Sequence, residues 1–298
     1  MLVNAQTLDL VFQGFKTVYT DAFLKAEPNW DKIAMQSTSV GADETYGWMG
    51  QFPQLREWLG PRVIHNLEAH GFKIVNRKFE STVKVSRDHI SDDKLGVFKP
   101  AFSEMGHLAT NHPEELVFNL LASGFETECY DGQYFFDTDH PTLNPEGEVV
   151  SVSNMQAGAE PPWFLLDTSR AVRPIIWQER EKYEFEAMDR PTDEHVFKND
   201  EYLYGVRARV NAGFGLWQLG FGSKAELTAA NYAAARAAMM NFKSDTGRIL
   251  GVKPMMLVVP PALEEAALKI VNTEFNDGGG TNPWSKTADL LVTPYLAA

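Results

Sequence analysis

Gly96-Val-Phe-Lys-Pro100-Ala-Phe-Ser-Glu-Met105-Gly-His-Leu-Ala-Thr110-Asn-His-Pro-Glu-Glu115-Leu-Val-Phe-Asn-Leu120-Leu-Ala-Ser123 carries the strongest periodic signal in the chain. Phe98, Phe102, Met105, Ala109, Leu116, Leu120 and Leu121 recur mostly at helical spacings of three, four and seven, which places them along one stripe of a long helix. Pro113 interrupts the run. It either kinks the helix or restarts one, with Glu114 and Glu115 placed where the helix dipole favours acidic groups. Gly124 follows as an expected C-terminal stop.

Upstream, residues 7–25 read as an amphipathic helix capped by Thr7, and the polar stretch Gln36–Glu44 reads as extended and weakly packed. Tyr46–Gly60 holds large aromatics between glycines and needs a partner surface to cover them. Phe72–Val75 and Phe79–Val85 alternate as strands do, with a turn expected at Asn76-Arg77. Downstream, residues 125–162 are rich in turn residues. Strands are expected at Trp163–Leu166, Pro174–Trp177, Tyr183–Glu186, Tyr202–Val210 and Leu216–Phe221. Thr228 caps a helix reaching Lys243. Met255–Val259 reads as a buried strand, Pro260-Pro261 opens a helix to about Phe275, and Leu290–Thr293 is a last short strand. The fold class is therefore α+β.

The 298 residues carry a net charge of −13, a poor balance for gripping nucleic acid. The charge is unevenly placed. Residues 101–150 contain ten Asp and Glu and no Lys or Arg. Residues 62–87 contain six basic groups (Arg62, Lys73, Arg77, Lys78, Lys84, Arg87) against two acidic ones. One reading is two solvated faces; the other is a basic arm that docks on an acidic surface of another copy. The longest apolar runs are strand-sized, and the N-terminus lacks the pattern of a secretory signal. The single cysteine, Cys129, suits a reducing compartment and reads as a small semi-buried side chain.

Chemistry-bearing motifs are scarce. There is no GxSxG elbow, P-loop or HExxH, and one cysteine excludes a Cys-rich zinc site. Gly213-Phe-Gly215 through Gly220 has the wrong spacing for a dinucleotide loop and reads as a kinked strand. Asp137-Thr-Asp139-His140-Pro141 admits two readings, a divalent-metal loop or an Asp-rich turn bonded to its own backbone. His107 and His112 sit at the wrong offset for shared ligation. No catalytic, cofactor-binding or metal residue is assigned.

Several stretches together resemble the Mu-like phage major head subunit family (gene product T). They are Tyr46-Gly-Trp-Met-Gly-Gln-Phe-Pro53, Arg56-Glu-Trp-Leu-Gly60, Asn76-Arg-Lys-Phe-Glu80, Tyr130-Asp-Gly-Gln-Tyr-Phe-Phe-Asp-Thr-Asp-His-Pro141, Trp163-Phe-Leu-Leu-Asp-Thr-Ser-Arg170, Asn199-Asp-Glu-Tyr-Leu-Tyr-Gly-Val206, Ala229–Ala238 and Asn282-Pro-Trp284. They occur in the family's order across nearly the whole chain.

The resemblance implies a Hong Kong 97-type capsid fold in four parts: an N-terminal arm (1–45), an extended hairpin or E-loop region (46–87), a peripheral domain with a long spine helix and a β-rich segment (88–227), and an axial domain with the C-terminal strand (228–298). The β-rich segment precedes the axial helices, an order that reads as permuted, with Leu290–Leu296 expected beside Trp163–Leu166. The implied function is a non-enzymatic shell subunit. It would assemble with itself into hexamers and pentamers that enclose double-stranded DNA without reading its sequence, with no membrane and no cofactor. The implied partners are a scaffold or protease-scaffold protein, since the chain opens directly on its arm helix, a portal protein and a decoration protein. The implied location is the virion, after assembly in the host bacterial cytoplasm.

Inter-subunit contact is expected from Trp48, Phe52, Trp58, Arg62, Lys73, Arg77 and Lys78 on the E-loop side, and from Glu104, Glu114 and Glu115 on the spine. Lys73 and Lys78 are also placed where some members of the wider fold cross-link a Lys to an Asn, and Gly96, Pro100 and Pro113 are candidate hinges. Alternatives from other classes are an encapsulin-like nanocompartment, a tail or baseplate component, and a metal-dependent enzyme built on Asp137, Asp139 and His140.

Overall fold

A computed structural model describes residues 3–49, 71–144, 148–190, 192–244, 248–276 and 278–297. In chain order the elements are α1 (Ala5–Lys25), β1 (Ala34–Thr38), β2 (Asp43–Tyr46), β3 (Phe72–Val75), β4 (Arg77–Ser86), α2 (Arg87–Ser91), α3 (Lys99–Ala122), β5 (His140–Leu143), β6 (Val149–Val152), β7 (Met155–Gln156), β8 (Trp163–Leu166), β9 (Ile175–Met188), α4 (Glu194–Asn199), β10 (Glu201–Phe214), β11 (Gly220–Ser223), α5 (Ala229–Met240), β12 (Met256–Val259), α6 (Glu264–Val271) and β13 (Asp289–Val292).

Two sheets organise the chain. A four-stranded sheet runs β1-β9-β10-β4, with β1 parallel to β9 and the other pairs antiparallel. A five-stranded sheet runs β13-β12-β8-β11-β7 and draws its strands from both sides of residue 228. β2 and β3 pair as a separate two-stranded stem, and β5 and β6 as a hairpin.

α3 is the spine. Phe102, Met105, Ala109, Val117, Phe118 and Leu121 are buried along it. It runs unbroken through Pro113, so that residue neither restarts the helix nor marks its first turn. α1 lies against α3 and shares a core with it, in which Phe15 stacks on Phe102 at 4.2 Å and Tyr204 closes edge-on at 5.2 Å. Gly106 permits the approach: a Cβ there would stand 2.3 Å from the Tyr19 carbonyl oxygen.

Several expectations are corrected. Asn4, not Thr7, caps α1, its Oδ1 accepting the Thr7 N–H at 2.9 Å. The stretch 36–44 is extended and largely unburied, with only Ser39 buried, but its first three residues belong to β1 and join a sheet. β3 and β4 do not form a hairpin. β3 pairs with β2 while β4 pairs with β10, and Asn76 marks the switch, its N–H donating to the Ala42 carbonyl and its Nδ2 to Ser39 and Gly41.

Gly124 adopts no left-handed conformation; it is small because Phe136 lies 2.8 Å from where a Cβ would sit. Leu216–Phe221 is a short 3-10 turn leading into β11. The helix expected to reach Phe275 stops at Val271. β13 shares a sheet with β8 but is not its neighbour, because β12 lies between them.

Candidate subunit interface

One buried side chain fixes the β2–β3 stem to the four-stranded sheet. Gln178 of β9 is fully buried. Its Oε1 accepts from the Tyr46 hydroxyl at 2.9 Å, and its Nε2 donates to the Ile74 carbonyl at 3.1 Å and to Asn76 Oδ1 at 2.8 Å. A buried amide with these bonds satisfied holds one geometry firmly. Glu44 locks the preceding turn by accepting from Val40 N–H, Gly41 N–H and the Ser39 hydroxyl, and the bond from Val40 leads the forces that hold its carboxyl below the usual range. Sequence reading missed Gln178. The one available signal was a lone amide ending the apolar run Ile175-Ile-Trp-Gln178.

The expected contact residues separate into three groups. Phe52, Trp58 and Arg62 lie outside the described residues. Others are engaged within the chain. Trp48 is half-buried, its ring edge-on to Tyr46 at 6.3 Å and packed on the main core. Lys73 pairs with Asp43 at 2.7 Å, and Arg77 lies over the Phe79 ring at 5.1 Å. Lys84 and Arg87 meet Glu201 at 2.8 Å and Asp200 at 3.5 Å, so part of the basic strip is offset by the chain's own carboxylates.

Glu114 is buried and turned inward, accepting the backbone N–H groups of Asn29 and Trp30. Burial raises its carboxyl above the ordinary range, opposed by those two bonds. It ties the spine to the segment after α1 and does not offer itself to another copy. The third group is open: Lys78, Glu104 and Glu115 are exposed.

Beside the spine, a groove between α3 and β4–β10 is lined by Phe79, Leu108, Tyr183 and Val206. His112 closes one side, its Nδ1 2.6 Å from the Tyr183 hydroxyl and its ring edge-on to Phe79 at 4.2 Å. Burial lowers the pKa of His112. His107 is exposed beside Asn111 at 2.9 Å.

Of the two readings of residues 137–141, the geometry is that of the turn. Asp137 accepts the N–H groups of Thr138 and Tyr134, as an Asp-rich turn does, while His140 points into the interior toward Asp131 and Asn154. Among the described residues no helix is long and apolar enough to cross a membrane.

The sequence matches the family described as "Mu-like prophage major head subunit gpT" over residues 8–296. The chain is 41% identical to the major capsid protein of Escherichia phage Mu, covering 99% of this chain and 100% of that one. It is also 41% identical to the Mu-like prophage FluMu major head subunit of Haemophilus influenzae, with 99% of each covered. A chain of the bacteriophage JBD30 procapsid superposes with a TM-score of 0.86 at 44% identity, over 98% of this chain and 100% of that one. A chain of the bacteriophage JBD30 capsid gives 0.78 at 34% identity, over 93% and 94%. Full-length agreement in sequence and fold sets aside the nanocompartment, tail and enzyme readings. The chain belongs to the Mu-like prophage major head subunit gpT family and has the Hong Kong 97-type capsid fold.

Proposed function

We propose that this chain is the repeating unit of the icosahedral head shell of a Mu-like tailed phage or prophage, a structural protein and not an enzyme. The observation that carries this reading is the full-length superposition on the JBD30 procapsid subunit. In this reading residues 1–45 are the arm, 46–87 the E-loop region on its β2–β3 stem, 88–227 the peripheral domain around α3, and 228–298 the axial part. Copies meet as hexamers and pentamers. The E-loop lies across the spine side of a neighbour, with Lys78 toward carboxylates such as Glu104 and Glu115, and with Phe52, Trp58 and Arg62 completing the contact.

Two physical points support the reading. The β2–β3 stem is held by Gln178 through the Tyr46 hydroxyl and the Ile74 carbonyl, so the base of the proposed E-loop region is fixed to the subunit. The exposed charged groups of β4 are mostly basic and those of α3 mostly acidic, which favours steering and register over raw affinity. A scaffold or protease-scaffold protein, a portal and a decoration protein are the expected partners, with assembly in the host cytoplasm. The JBD30 capsid is known decorated with minor capsid protein trimers, and its shell chain is 35% identical to this one with a TM-score of 0.74.

The test is Trp58→Ala in a shell-forming expression system. The expected outcome is a folded subunit by circular dichroism and few or no shells by negative-stain microscopy. Normal shells would overturn the anchor role. Assembly followed by light scattering should also slow as salt rises; salt-indifferent rates would remove the electrostatic part.

A further inference from the structure

Cys129, Asp131 and His140 bring a thiol, a carboxylate and an imidazole within 4.8 Å of one another. His140 is fully buried, the Asp131 side chain is one-tenth exposed and Cys129 is buried. Cys129 and Asp131 share a tight turn: the Gly132 N–H donates to the Cys129 carbonyl at 3.2 Å, and Gly132 has φ of 85°. His140 opens β5, and its ring lies flat on Trp217 at 4.0 Å.

The hydrogen atoms at this cluster can be counted. Asn154 is fully buried, and its Nδ2 donates to the carbonyls of Phe135, Trp217 and Gly220. Its Oδ1 therefore faces the Asp137 N–H and His140 Nε2, so Nε2 carries a hydrogen. That leaves Nδ1 facing Asp131 Oδ2 at 2.7 Å. A nitrogen lone pair and a carboxylate oxygen do not sit so close without a proton between them, and a metal ion that replaced this proton would spread the pair apart. The other Asp131 oxygen lies 3.1 Å from the Cys129 sulfur.

We propose that Cys129, Asp131 and His140 form a structural zinc site. A sulfur, a nitrogen and an oxygen donor together suit this borderline-soft ion. Zinc bonds of about 2.0–2.3 Å imply donors roughly 3.3–3.7 Å apart in a tetrahedron. The Nδ1–Oδ2 pair at 2.7 Å and the Sγ–Oδ1 pair at 3.1 Å are closer than that, and all three donors lie within 4.8 Å, so small side-chain shifts that spread the first two pairs admit the ion. Asn154 holds the far ring nitrogen, the orienting contact that metal-bound histidines need. The Gln133 N–H steadies Asp131 at 3.1 Å in the same way. Binding releases two protons, one from the Cys129 thiol and one from between Asp131 and His140, so charge balances. A water or the second Asp131 oxygen fills the fourth position. Burial denies access to a substrate, and the role is to staple the turn at residues 128–134 to the β5–β6 hairpin.

The full chain, expressed with zinc in the medium and dialysed against metal-free buffer, is assayed for metal by mass spectrometry. About one zinc per chain is expected. Cys129→Ser and Asp131→Asn, each checked for folding by circular dichroism, should retain only traces. Cobalt-loaded wild type should show sulfur-to-metal charge-transfer absorption that Cys129→Ser lacks, and a strong chelator should lower the wild-type Tm while leaving that of Cys129→Ser unmoved. Folded wild type with only trace metal, and with a Tm unchanged by added zinc, would leave the proton in place and overturn the proposal. So would zinc retained equally by both variants. Neither result bears on whether the chain builds shells.

Discussion

The two sheets are buried in opposite ways. In the five-stranded sheet, β8, β11 and β12 are four residues long and buried at every position. In the four-stranded sheet, β9 and β10 are fourteen residues long, and over much of their length burial alternates with exposure. A strand covered on both faces reads as a continuous apolar run, and a strand covered on one face alternates. The central strands of the first sheet are covered on both faces. The second keeps an open face of charged side chains, Glu181, Arg207 and Arg209 among them, which is what a subunit built to meet its own copies requires.

The contrast can be broken most sharply at Phe164. Its ring is fully buried, 5.2 Å from Phe136 and 5.9 Å from Phe125. Phe164→Ala should cost about 3–5 kcal/mol in urea denaturation of the unassembled subunit. Glu184→Ala, on the exposed side of β9, should stay within about 0.5 kcal/mol. Equal losses would mean that the two sheets do not differ as their burial says. A smaller effect is expected from Gly222→Ala in β11, where a Cβ would fall 2.7 Å from Phe136 Cγ and 2.8 Å from Phe125 Cζ. Overpacking there should cost about 1–3 kcal/mol, read as a shift in the denaturation midpoint. A neutral result would show slack in the five-stranded sheet.

The same contrast explains what the sequence made legible. Continuous runs such as Met255–Val259 and alternating ones such as Tyr202–Val210 announce themselves through period alone, as does the α3 stripe, and the Thr228 cap is confirmed by its bond from the Asn231 N–H at 3.2 Å. Pairing between distant segments has no local signal. β1 is extended wherever it lies, and only Ile175 to Glu179, far along the chain, make it part of a sheet. Glu114 follows Pro113, where the sequence suggests a helix start and an exposed acid; in the structure it lies mid-helix and buried. Its partners, Asn29 and Trp30, are supplied by the segment between α1 and β1. His140 looked like part of an Asp-rich loop because Asn154, which turns it inward, lies on the far side of a hairpin. Order along the chain was equally opaque: nothing local says that β12 separates β8 from β13.

Glu114 also gives a pH test. Its folded carboxyl is raised above its ordinary value of 4.5, with burial the leading cause. The folded state therefore holds that proton more tightly than the unfolded chain does. The resulting stabilisation is complete below the ordinary carboxyl range and is lost as pH rises through the raised value. Glu114→Gln removes the titration. The wild-type Tm minus that of the variant should fall as pH goes from about 4.5 toward neutrality. A difference that grows with pH would show that the Asn29 and Trp30 bonds outweigh burial.

The smallest effect is expected on the open face. Glu181 accepts from Arg207 at 2.9 Å and from Arg209 at 3.1 Å, beside an irregularity in the β9–β10 register. Arg207 is half exposed and Glu181 about a third exposed, so water screens the pairs, and exposed ion pairs contribute between about 0.2 and 1 kcal/mol. Glu181→Gln should lower stability within that range at low ionic strength. The loss should vanish near 1 M salt, where charges more than about 3 Å apart are screened. A loss above about 2 kcal/mol that salt does not move would mean that the bridge acts as a buried one, leaving an unpaired guanidinium behind when its partner goes. The outward face would then be tied into its own fold as tightly as β8 and β12 are, and less free to present charge to a neighbouring copy.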